Sequence, residues 1–121
     1  MGKKILLIDD DLEISSILKD ALEAAAYQVE ICDNGGEALK ALLAYKPDLL
    51  LLDVMLPGLD GYTLATKISE DEATRDLPII VVSGLEPSEA MFRGFRQVVA
   101  FIHKPFSPED LLELIRKTLD K

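Results

Sequence analysis

Residues 3–32 read KKILLIDDDLEISSILKDALEAAAYQVEIC, and the fold is decided in this stretch. Ile5 to Ile8 form an unbroken apolar run, fit for a strand buried on both faces. Asp9, Asp10 and Asp11 follow at once. Leu12, Ile14, Ile17, Leu18, Ala21, Leu22 and Ala25 then recur at helical spacing. In the next segment Tyr27, Val29 and Ile31 alternate with Gln28, Glu30 and Cys32, the half-polar pattern of an edge strand. Strand, amphipathic helix and strand in close succession make a parallel βαβ unit.

The pattern repeats outward from there. Further strands are expected at LLLL (49–52), PIIVV (78–82) and VVAFI (98–102). Between them Ala38, Leu39, Leu42 and Leu43 keep helical spacing, as do Leu64, Ala65 and Ile68. A short fourth helix is expected in SEAMFRGFRQ (88–97), although Gly94 costs it about 1 kcal/mol against alanine. The start signal Ser107-Pro108 opens a last helix carrying Leu111, Leu112, Ile115 and Leu119. With residues 27–32 at an edge, the expected fold is α/β: a doubly wound, flavodoxin-like parallel sheet of five strands, order 2-1-3-4-5, with five helices. One domain over residues 1–121 is expected.

Composition narrows the function. The chain is 49% hydrophobic and 29% charged, as soluble globular domains are. Its apolar runs fall far short of the ~20 residues of a membrane helix, so no membrane insertion is expected. After Lys3 and Lys4 the aspartates interrupt any signal-peptide core. A formal charge of −9 argues against direct nucleic-acid binding, which needs a basic face. Cys32 is the single cysteine, read as a small buried side chain in a reducing, cytoplasmic setting.

Three consecutive carboxylates at the mouth of a core need compensation, because two charges about 4 Å apart repel by roughly 4 kcal/mol at an effective dielectric of 20. Asp10 with Glu13 fits a capping-box variant, and Asp11 could equally cap the following helix. One cap accounts for one aspartate. In an open parallel sheet, ligands bind at the carboxyl ends of the strands where the strand order reverses, here between the first and third. Asp9 and Asp10 end the first strand, Asp53 the third, Ser83 the fourth, and His103 and Lys104 the fifth. Each alone has a bland reading: Asp53 and Ser83 as turn residues, Lys104 as a solvated lysine, His103 as a surface residue. Together they bring hard oxygen donors, a hydroxyl and an ammonium to one strand end, a set suited to Mg²⁺ and a phosphoryl group.

The motifs ILLIDDD, LLLLDVMLPGLDG, PIIVVSG and FIHKPF, in this order and spacing, resemble the receiver domain of bacterial two-component response regulators. The resemblance implies a switch whose Asp53 accepts a phosphoryl group from a sensor histidine kinase or a histidine phosphotransfer protein. It implies that Asp10, Asp53 and the backbone carbonyl of Met55 bind Mg²⁺ directly and that Asp9 assists. Lys104 would pair with carboxylate or phosphate, Ser83 would hydrogen-bond a phosphate oxygen, and Phe101 matches the switch aromatic. Lys104-Pro105 matches a peptide bond that is usually cis. Asp9 and Asp10 then form the metal clamp and Asp11 the helix cap. A downstream partner would dock on the fourth helix, fifth strand and fifth helix, with a phosphorylation-linked dimer as a further option. Gly84, where the family often has alanine, departs from the pattern. Met55 and Leu85 are bulky and apolar where a polar side chain would orient water, and are expected to prolong the phosphorylated state.

The competing reading is a small Mg-dependent phosphatase of the haloacid dehalogenase type, since Asp9-Asp10-Asp11 contains a D-x-D after a strand. Glu13 stands where that family expects threonine or valine, and no late acidic pair follows a strand after Lys104. A receiver labels itself once, whereas a phosphatase turns over. The former is the expectation, and not a turnover enzyme.

Overall fold

The computed structural model describes residues 2–9, 11–53, 61–83, 94, 96–103 and 106–119. The elements are β1 (Lys4–Ile8), α1 (Leu12–Ala24), β2 (Gln28–Cys32), α2 (Gly35–Tyr45), β3 (Leu49–Asp53), α3 (Gly61–Glu70), β4 (Ile79–Ser83), β5 (Val98–His103) and α4 (Pro108–Leu119). All pairings are parallel, and the sheet runs β2-β1-β3-β4-β5 as expected. Four helices stand among the described residues where five were expected. The missing one, 88–97, lies for most of its length outside them. Its described end corrects the expectation, since Gly94, Arg96 and Gln97 form a turn. Gln97 already belongs to the sheet's entry: its carbonyl accepts the Ile79 N–H at 2.7 Å.

Side-chain alternation along the strands builds two apolar layers. Leu6, Ile8, Leu50, Leu52, Ile79 and Val81 point to the side covered by α2 and α3, where they meet Leu42, Leu64 and Ile68. Ile5, Leu7, Leu49, Leu51 and Ile80 point to the other side, against Leu18 and Leu22 of α1 and Leu111 and Ile115 of α4. Ile5–Ile8 of β1 and Leu49–Leu52 of β3 are thus buried on both faces, which explains these unbroken aliphatic runs. Edge strand β2 exposes Gln28 and Glu30 and buries Val29. Cys32 is buried, as its reading as a small buried side chain expects, and joins the layer under α2.

The buried stripe of α1 differs from its apolar periodicity. Ser15, Leu18 and Leu22 face the core, while Ile14 and Ile17 remain exposed, Ile17 by 57%. Asp11 is the N-cap of this helix, its Oδ1 accepting the Ile14 N–H at 3.2 Å.

Candidate functional site

Five strands running one way end along one edge of the sheet, and their last residues form a row. Ile8 pairs with Leu52, so one step on Asp9 and Asp53 stand side by side, at about the 4.8 Å spacing of neighbouring strands. Asp53 lies opposite Val82, and Ser83 opposite His103. The strand order reverses between β1 and β3, so the two carboxylates straddle the point where an open sheet leaves a crevice.

Both carboxylates are withdrawn from water, Asp9 to 1% exposure and Asp53 to 4%. Buried acidic groups need polar partners, and part of the arrangement is visible at Asp9. Its Oδ1 accepts the Asp11 N–H at 2.9 Å, and its own N–H donates to the Cys32 carbonyl at 3.0 Å. The first contact is a side chain reaching two residues ahead to the backbone, a local motif open to aspartate. Its sequence signal is the D-x-D spacing, and the sequence reading missed it. The aspartate run therefore does two jobs in series: Asp11 caps α1, and its N–H orients Asp9.

Phe101, opposite Val81, is half-buried against the layer that contains Leu64 and Ile68. His103 is exposed, in keeping with its reading as a surface residue. Ser83 ends β4 at the expected place in the row. Asp10, Met55, Gly84, Leu85, Lys104 and Pro105 lie outside the described residues. Among the described residues no group of three or more His, Cys, Asp or Glu side chains is placed to hold a metal ion. The two buried carboxylates are nonetheless hard oxygen donors of the type that Mg²⁺ takes, one or two at a time, alongside water and phosphate oxygens.

Fold and row together define a doubly wound α/β module with an acidic crevice at its switch point. The chain belongs to the family of response regulator receiver domains, whose model matches residues 5–116. Over 121 residues it is 38% identical to the phosphate regulon transcriptional regulatory protein PhoB of Pseudomonas aeruginosa, covering 98% of this chain and 52% of that protein. It thus spans about half the length of that relative. A CheY-like response regulator receiver domain of Methanospirillum hungatei superposes with a TM-score of 0.90 at 33% identity, covering 99% of this chain and 95% of that one. The receiver domain of the sensor histidine kinase PA1611 of P. aeruginosa shares the fold over the full length of both chains, with a TM-score of 0.89 at 24% identity. That structure has a magnesium ion coordinated in its active-site cleft. The chain is a signal-transduction module of two-component type, and receiver domains are signalling switches, generally not turnover enzymes.

Proposed function

We propose that the protein is a phosphorylation-driven switch that accepts a phosphoryl group on Asp53 in a Mg²⁺-dependent reaction. The observation that carries this is the burial of Asp53 beside Asp9 at the carboxyl ends of β3 and β1. A carboxylate Oδ of Asp53 attacks phosphorus, a new P–O bond forms, and the bond from phosphorus to the donor's phosphohistidine nitrogen breaks. Little bond chemistry falls to the protein, which positions the acceptor and neutralises charge. Asp10, Asp53 and the Met55 carbonyl would hold the ion directly, with Asp9, oriented by the Asp11 N–H, assisting. Bound Mg²⁺ offsets the charge of the phosphoryl oxygens as they approach two carboxylates. Lys104 and Ser83 would take the remaining phosphate oxygens. Phe101 would then turn inward and reshape the surface around β5 and α4 for a partner.

The donor would be a sensor histidine kinase or a histidine phosphotransfer protein. The net charge of −9 describes this chain alone. PhoB is by name a transcriptional regulatory protein, so the expected lack of nucleic-acid contact does not extend to a longer protein carrying this domain. The phosphatase reading is not favoured by a receiver-domain match over residues 5–116. Intact mass after acetyl phosphate should rise by one phosphoryl group with Mg²⁺, and not with EDTA or in Asp53→Ala. Equal labelling of that variant would reject Asp53, and repeated turnover of a phosphomonoester would restore the phosphatase.

A further inference from the structure

The entry to β5 carries chemistry that the switch does not use. Pairing with β4 slips there: Ile79 faces Val98, but Ile80 faces Ala100, leaving Val99 as an extra residue. A bulge re-aims the side chain that it frees, and Val99 is 51% exposed while its neighbours Val98 and Ala100 are half-buried. Val99 opens onto a cleft of about 200 Å³ that it shares with Arg75, Asp76, Pro78, Arg96 and Gln97.

The polar groups of this cleft are unequally satisfied. The Nε2 of Gln97 donates to the carbonyls of Thr74 at 3.1 Å and Leu77 at 2.8 Å. Among the described residues neither the Arg75 nor the Arg96 guanidinium has an ion pair or side-chain hydrogen bond, and Asp76 on the same cleft bridges neither. Both arginines are exposed and line the same cleft, so an anion seated there meets positive charge from two residues. In a chain with 22 acidic residues against 13 basic ones, this is an unusual place to leave them unmatched.

We propose that this cleft docks an extended segment of a partner protein that carries carboxylates around one apolar side chain. Guanidinium forks fit carboxylates in pairs of parallel hydrogen bonds, and Val99 and Pro78 supply an apolar floor. The volume is below the roughly 300–1,000 Å³ of metabolite pockets, which favours a protein segment over a small molecule. The chain's charge of −9 sets a long-range repulsion against a second copy. The cleft lies at the opposite end of β4 and β5 from Ser83 and His103, so the proposal stands apart from the phosphoryl chemistry.

The probe is a blocked peptide Asp-Glu-Leu-Asp-Glu, with Lys-Lys-Leu-Lys-Lys as control, titrated while backbone amides and arginine Nε–H groups are followed by NMR. Saturable shifts should centre on Arg75, Arg96 and Val99 with the acidic peptide only. The double variant Arg75→Ala/Arg96→Ala should bind at least about tenfold more weakly with an unchanged unfolding midpoint. Arg75→Lys/Arg96→Lys should recover only part of the loss, since it restores charge without the fork. Three results would overturn the proposal: no saturable shifts, equal binding by the alanine variant, or shifts at these residues that follow protein concentration and so mark a second copy.

Discussion

Three residues show how much depends on a single polar atom. Asp11 acts twice, through its carboxylate as the α1 cap and through its N–H as the group that orients Asp9. Ser15, one turn on, is fully buried, and its Oγ has no hydrogen-bond partner among the described residues. An unmet buried hydroxyl is unfavourable, and alanine is the better helix former. Ser15→Ala should therefore stabilise the fold by about 1 kcal/mol, read as a higher urea midpoint at unchanged slope; a clear loss would reveal a partner for the hydroxyl. Tyr45 is tied to Lys4, whose Nζ lies 5.2 Å from the ring centroid and donates to the Tyr45 carbonyl at 3.3 Å. Burial, and then the carboxylates of Glu30, Glu23 and Asp48, push the Tyr45 phenol above its ordinary value of 10.0. The native state thus holds this proton more tightly than the unfolded chain does. Its stability contribution is complete below about pH 10 and is lost as pH rises through the native value. Tyr45→Phe should flatten the alkaline limb of stability, checked by urea midpoints at stepped pH; an unchanged limb would rule Tyr45 out as its source.

At the scale of elements, helix ends are the weak joints. Ala26, which follows α1, sits at φ 74°, and Lys46, the C-cap of α2, at φ 53°. Left-handed backbone suits glycine, and Cβ makes it unfavourable elsewhere. Ala26→Gly should raise stability by about 1 kcal/mol in thermal or urea unfolding, with no effect on labelling by acetyl phosphate; a loss would mean that the Ala26 methyl contributes more by packing. These ends also mark where the sequence stops being legible. The strand order could be read because β2 displays Glu30 and Gln28, while Ile5–Ile8 of β1 and Leu49–Leu52 of β3 are aliphatic throughout. The row of strand-terminal polar residues could be read because each follows directly on the last apolar residue of its strand. The face of α1 could not. Ile14, Ile17, Leu18, Ala21 and Leu22 are compatible with two neighbouring stripes, and the packed fold buries the one with Ser15, Leu18 and Leu22 and leaves Ile17 in water. The end of the expected fourth helix was misplaced for a similar reason. Gln97 looks like a helix-terminal polar residue, and only the three-dimensional fold shows its amide satisfying carbonyls 20 and 23 residues away in sequence.

For the molecule as a whole, the two-sided burial of β3 makes it the keel. Leu50 is fully enclosed under α2 and α3. Leu50→Ala should cost about 2–5 kcal/mol in chemical denaturation, and a smaller loss would mean that the layer collapses into the space. Burial is also graded across the sheet. Every described side chain of β1 from Ile5 onward and of β3 is buried, whereas β5 runs from half-buried to exposed along its whole length. Such a gradient in packing is a gradient in compliance, because strands open in proportion to the contacts that they lack. Asp9 and Asp53 are mounted on the stiff members and Phe101 on the soft one. A disturbance at the carboxylates should therefore meet less give in β1 and β3 than in the less buried β5. Amide hydrogen exchange should record this as slow exchange of β1 and β3 near the global unfolding limit and as distinctly faster, sub-global opening of β5. Uniform protection across the five strands would mean that the sheet yields as one plate.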